Sequence, residues 1–159
     1  MSAKKQQPTP RAKTFSHLGS DGTARMVNVG AKPVQHRRAV AQGSLFCDPK
    51  TIELLRAKAL PKGDVLTVAQ VAGIQAAKRT AELIPLCHTL PLSHVGLSFD
   101  IQANAVGITC TVETDAKTGV EMEALTGVSV AALTLYDMCK AVDKMMRIDN
   151  VRVVEKTKQ

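Results

Sequence analysis

Apolar positions recur at two spacings along this chain. Val95, Leu97, Phe99 and Ile101 alternate with other residues, as do Val106, Ile108, Cys110 and Val112. A period of two predicts a pair of half-buried strands. Asn104-Ala105 is short enough to join them as a hairpin, although Asn-Gly would turn better. Arg37 to Phe46 predicts a longer strand with Val40 and Leu45 pointing inward. Val151 to Val154 predicts a last strand, and Met26, Val27 and Val29 a short first one. Helical spacing takes over where Val65, Val68, Ala69, Ala72 and Ala76 recur. They predict a helix over Asp64 to Leu83, capped by Asp64 and ended by Pro85. A short helix is expected from Pro49 to Ala59, with Asp48 as its cap and Pro49 in its first turn. Asp115 to Gly119 reads as a loop and Val120 to Ala124 as extended chain. Thr126 then caps a helix to about Met146, with Val128, Ala131, Ala132, Leu135, Cys139 and Val142 as its apolar stripe.

From residue 34 onward, the short helix aside, the order is β-α-β-β-α-β. It predicts an α+β fold of the ferredoxin-like, split-βαβ kind: one antiparallel sheet with two helices on one face. A length of 159 residues fits a single domain, taken as 17–159, behind a disordered basic tail at 1–16. Such a domain buries enough surface to need no disulfide or metal staple. The four cysteines, at 47, 87, 110 and 139, show no C-x-x-C spacing, and no secretory leader is recognised ahead of the fold. Free thiols in a reducing compartment are expected. The formal net charge is +7, of which residues 1–17 carry +4 through Lys4, Lys5, Arg11 and Lys13. The remaining +3 suits a phosphate-bearing ligand and does not call for a nucleic acid. No apolar run approaches the roughly 20 residues of a membrane helix.

Several polar groups stand out. Glu121 and Glu123, if extended, share one face, and paired carboxylates usually hold a cation or exchange a proton. Asp137 and Lys140 share a helix face about 180° from Val128; an ordinary solvated ion pair is the bland alternative. Lys62 precedes a helix N-terminus, where backbone N–H groups favour anions. Leu86, Cys87 and His88 lie in a loop held between Pro85 and Pro91, a setting where functional side chains collect. His88 there reads as a proton donor or a phosphate contact, with a satisfied loop histidine as the bland alternative. A metal set of Cys87, His88 and His94 lacks a recognised spacing. Lys78 and Arg79 fall off the packed helix face, as a phosphate contact or as solubilising charge. No nucleophile elbow, P-loop or dinucleotide motif is present. An RNA-recognition domain shares the βαββαβ order but needs strand aromatics, and Val106 to Val112 has none.

Five blocks carry a resemblance: KGDV at 62–65, AGIQAAKRT at 72–80, LIPLCH with LSH at 83–94, TGVEMEAL at 118–125 and VAALTLYDMCKAV at 130–142. Together they resemble the MoaC family of molybdenum-cofactor biosynthesis, the cyclic pyranopterin monophosphate synthases. The resemblance implies a lyase acting on a cyclised dihydro-GTP: it rearranges the substrate to a pterin, closes a cyclic phosphate and expels pyrophosphate. It implies Asp137, Lys62 and Lys140 as catalytic residues. Leu86-Cys87-His88 and Met122-Glu123 are implied as substrate contacts. It further implies a hexamer, a trimer of dimers with sites between subunits. No resident cofactor is expected; whether a divalent ion helps pyrophosphate leave stays open. The expected location is cytoplasmic, or the mitochondrial matrix in a eukaryote.

The residues suit that chemistry. Glu121, Glu123 and Asp137 offer acceptors to a guanidine-like purine edge. Lys62, Lys78, His88 and Arg37 offer cations to a triphosphate. Lysines crowded by other cations and desolvated would have lowered pKa values and act as acid and base. Three positions depart from the family pattern: Asn28 replaces an Asp, Gln35 replaces a Thr, and a Gly-rich tail is matched only by Lys156-Thr157. That last departure raises an alternative, a non-catalytic nucleotide-binding or assembly subunit.

Overall fold

The structure is a computed structural model describing residues 21–159; the basic tail at 1–16 lies outside the described residues. Four strands form one antiparallel sheet: β1 (Gln35–Phe46), β2 (Leu92–Ile101), β3 (Ala105–Ala116) and β4 (Arg147–Lys158), in the order β2-β3-β1-β4. The helices are α1 (Pro49–Arg56), α2 (Val65–Lys78), α3 (Thr80–Leu83) and α4 (Glu121–Cys139). The ferredoxin-like expectation holds. α4 packs on β1, β3 and β4, and α2 packs on α4 and β2.

The core lies between sheet and helices. It joins Ala39, Ala41, Leu45, Ile108, Cys110 and Val112 of the strands to Val128, Ala131, Ala132 and Leu135 of α4. All four cysteines are free thiols. Burial lifts Cys110 to about 12 and Cys47 to about 11, which makes neither thiol reactive at neutral pH. α2 and α4 cross closely because Gly73 and Gly127 meet there. A Cβ on Gly73 would stand 2.6 Å from Leu97 Cδ2 and 2.8 Å from the Gly127 carbonyl.

Asp48 and Asp64 cap α1 and α2 as expected, accepting from Lys50 N and Thr67 N. Elsewhere the structure corrects the pattern reading. The buried stripe of α2 is Val65, Ala69, Gly73, Ala76 and Ala77, and Val68 is exposed. The Gly73 crossing sets the helix phase, so small residues face inward and Val68 turns out. The helix expected to reach Leu83 breaks at Arg79, whose N–H bonds Ala76 O, and Thr80 Oγ1 donates to Ala77 O at 2.9 Å. Met26 to Val29 form no strand; a turn organises them, with Gly30 N donating to Asn28 Oδ1 and Lys32 N to Val29 O.

The largest correction falls at 120–126. This stretch is not extended: α4 starts at Glu121 and Thr126 lies inside it. Carboxylates in a first turn complement the helix N-terminus. Glu123 also continues the stripe of Gly127, Ala131 and Leu135 at a spacing of four. At the far end α4 stops at Cys139 rather than Met146, leaving Val142 exposed in the link to β4. β4 runs from Arg147 to Lys158, far beyond the expected 151–154, because β1 supplies ladder partners to polar residues that carry no alternation.

Candidate active site

Helix α4 carries candidate groups at both ends. At its N-terminus Glu121 and Glu123 lie about 200° apart around the axis rather than on one face. Glu121 reaches solvent and accepts from Lys156 Nζ at 2.7 Å. Gly119 makes room for it, since a Cβ there would strike the Glu121 carboxylate. Burial would raise the pKa of Glu121, but the Lys156 hydrogen bond, its own backbone N–H and the charges of Lys156 and Arg37 outweigh burial and lower it. Glu123 is buried, at 4% exposure. Burial pushes its pKa up and the neighbouring Glu121 adds to this, against the pull of its own backbone N–H and of His88.

Two adjoining grooves open here. One, of about 480 Å³, is lined by Leu86, Cys87, His88, Met122 and Glu123 together with Val27, Val29 and Leu90. The five residues that the resemblance implies as substrate contacts therefore line one groove, with Glu121 also in its lining. His88 Nε2 lies 2.8 Å from Val27 O, which ties the 26–32 turn across the groove. The Cys87 thiol is raised by burial and then by the Glu123 charge. The second groove, of about 420 Å³, is cationic: Lys32, Arg37, Arg38, Lys117, Lys156 and Lys158 line it beside Glu121. The two share Lys32, Thr118, Gly119 and Glu121.

Three of these six cations are already engaged. Arg38 pairs with Glu113 and Glu155, Lys156 with Glu121, and Lys117 donates to Gly30 O. Arg37 is different. One terminal nitrogen donates to Gln35 Oε1 at 2.9 Å, while its Nε is buried with no partner. Among the described residues, the buried side-chain polar atoms without a hydrogen bond are Arg37 Nε and Glu123 Oε2. One is a cation and the other a carboxylate, and they line adjoining grooves. Buried polar atoms are seldom left unpaired, so such orphans mark places where an outside partner would be stabilised.

At the other end of α4, Asp137 Oδ2 accepts from Lys62 Nζ at 2.7 Å, and Lys140 Nζ lies 2.7 Å from Asp137 Oδ1. Lys62 also donates to the Asp137 carbonyl at 3.1 Å. Three residues from two distant segments thus meet on an open face. The lysine hydrogen bonds, Lys140's first, pull the Asp137 carboxyl down to about 2. Asp137 in turn raises Lys140, the reverse of the lowered lysine pKa expected from crowded cations. The reason is that a carboxylate, not another cation, is the nearest charge, and water reaches the ammonium.

Sixteen residues, or roughly 24 Å of helix, separate Asp137 from Glu121. The triad lines neither groove. Lys78 is exposed at the end of α2 and also lines neither. Among the described residues no three His, Cys, Asp or Glu side chains converge as a metal-ligand set. Sequence reasoning missed Lys32, Lys117, Lys158 and Arg38 as lining of the cationic groove. Isolated basic residues in loops and strand ends carry no periodic signal; Lys156 alone had one, its match to the family tail.

The chain matches the family model described as "MoaC family" over residues 26–159. It is 59% identical over 144 residues to "Cyclic pyranopterin monophosphate synthase" of Chloroflexus aggregans, covering 89% of this chain and 87% of that protein. The protein of that name from Novosphingobium aromaticivorans is 52% identical, with 89% of this chain and 90% of the relative covered. "Molybdenum cofactor biosynthesis bifunctional protein" of Chlorobaculum tepidum is 56% identical over 90% of this chain, which spans 46% of that longer protein.

Proposed function

The chain belongs to the MoaC family, and on that premise we propose that it converts a cyclised dihydro-GTP to cyclic pyranopterin monophosphate with release of pyrophosphate, a step of molybdenum-cofactor biosynthesis. The observation that carries the reading is the pair of orphaned buried groups, Arg37 Nε and Glu123 Oε2, in adjoining grooves. A substrate with a guanidine-like edge at one end and phosphates at the other satisfies both at once. Glu123, with His88 beside it, takes the purine edge. Arg37, with Lys32 and Lys158 nearby, takes phosphate. Lys62 and Lys140 present ammonium donors for the proton transfers of ring opening and closure, and Asp137 holds both in place.

The reading includes an oligomer. A substrate of this size does not bridge the roughly 24 Å between the ends of α4. The triad of one chain therefore faces the grooves of another, as in a trimer of dimers with sites between subunits. Apolar side chains on the outer face of the helical layer, Val68, Val71 and Leu133, support burial there against a neighbour. A cytoplasmic setting, where GTP is at hand, goes with this proposal; among the described residues no helix is long and apolar enough to cross a membrane.

The test is turnover. Purified protein mixed with enzymatically prepared cyclised dihydro-GTP should release pyrophosphate and yield, after oxidation, a fluorescent pterin. A folded protein that binds this substrate and yields neither product would be the non-catalytic subunit instead.

A further inference from the structure

Asp143 is a buried carboxylate with no part in either cluster. It is 8% exposed and fully hydrogen bonded. Its Oδ2 accepts from Asp48 N at 2.8 Å and from Thr51 Oγ1 at 3.3 Å, and its Oδ1 accepts from Met145 N at 2.9 Å. The first two bonds clamp the turn after α4 onto the N-terminus of α1. That turn starts at Lys140, and Val142 N and Asp143 N both bond Cys139 O. At the other end of α1 the chain winds tightly to Lys62: Ala57 N bonds Glu53 O, Ala59 N bonds Leu54 O and Gly63 N bonds Leu60 O. One short helix thus braces both lysines of the triad, one at each end.

We propose that Asp143 is a positioning residue. It locks the Lys140 turn to α1 and so sets Lys62 and Lys140 at hydrogen-bond distance on either side of Asp137. A buried carboxylate is costly unless its partners are well placed. Here its three donors come from the start of α1 and from the turn itself, and they tie the two together next to the Phe46–Arg147 end of the β1–β4 ladder. The lysines themselves are exposed, so packing does not fix them; the turn does.

The role rests on the function proposed above, and the test separates the two. Asp143→Asn keeps the shape but turns an amide N–H₂ toward donors. With the full chain folded and assembled as the wild type, kcat should fall roughly ten- to a hundredfold, the cost of misplacing reacting groups by about an ångström. KM should stay unchanged, because neither Asp143 nor its partners belong to the grooves that would bind the substrate. Asp143→Glu should recover part of the loss. A second readout needs no turnover: the Lys140 side-chain carbon followed by NMR through its titration. Asp137 and Tyr136 both raise Lys140 in the wild type, and in Asp143→Asn its midpoint should drop toward that of an ordinary lysine. If Asp143→Asn does not fold, Thr51→Ala, which removes one of the three bonds, should show the same two changes in smaller measure. Unchanged kcat and unchanged Lys140 titration overturn the proposal. A fall in kcat matched by loss of folded protein also overturns it. A wild type without turnover sinks the function while leaving the Lys140 arm to decide the role of Asp143.

Discussion

The two ends of α4 hold their polar groups in opposite physical terms. At the N-terminal end Glu123 is buried with one oxygen unpaired, and Arg37, in the adjoining groove, has a buried and unpaired Nε. At the C-terminal end Asp137, Lys62 and Lys140 satisfy one another in open solvent. The first arrangement costs stability until a ligand arrives. The second adds little, since exposed ion pairs are screened and entropically costly. The N-terminal end leaves buried polar atoms open to an outside partner, and the C-terminal end places charge where no core demands it.

Breaking the C-terminal end should have the largest effect. Asp137→Ala and Lys62→Ala should each lower kcat by about a hundred- to ten-thousandfold, the range for a lost acid–base group. The melting temperature should barely move. A large drop in melting temperature instead would make the triad structural.

Straining the crossing between the two ends should cost stability rather than chemistry. A Cβ on Gly73 would press on Leu97 and on the Gly127 carbonyl, so Gly73→Ala should cost roughly 1–3 kcal/mol in denaturant unfolding. Turnover per folded molecule should persist if only the crossing is strained.

At the N-terminal end the sign is reversed. Folding raises the Glu123 pKa, so the native state favours its protonated form. That contribution is fully present below the ordinary value of 4.5 and is lost as pH rises through the raised native value. Glu123→Gln, which stays neutral, should melt like the wild type below about pH 4 and above it at neutral pH, while its KM rises. Equal melting at both pH values would show that the carboxylate carries no burial cost.

The smallest effect belongs to Lys156→Ala. Removing an exposed partner of Glu121 should change stability by less than about 1 kcal/mol. A modest increase in KM should accompany it, read from the same turnover assay.

Most of the fold was legible because periodicity reports it. β2 and β3 alternate strictly, and the Val128–Cys139 stripe marks α4. The start of α4 was not legible. Glu121-Met122-Glu123-Ala124 reads equally well as an alternating strand, and only the closeness of α2 and β1 turns Glu123 inward as a helical residue. The phase of α2 was missed because two glycines, invisible to a hydrophobic pattern, set the crossing. The triad was half legible. Asp137 and Lys140 declare a shared face at a spacing of three, but Lys62 lies 75 residues from Asp137 and only the fold brings them together. The cationic groove was the least legible, since its lysines come from loops and strand ends whose spacing encodes nothing.

The central claim is that the two ends of α4 serve one reaction through different chains. The most direct measurement mixes two inactive variants, Asp137→Ala and His88→Ala, unfolds and refolds them together, and assays turnover. Each alone should be silent. Mixed assemblies should regain a substantial fraction of wild-type activity, because some sites then pair an intact triad with an intact groove. Mixed assemblies that form and stay as inactive as either parent would contradict the claim and place both halves of the site in one chain.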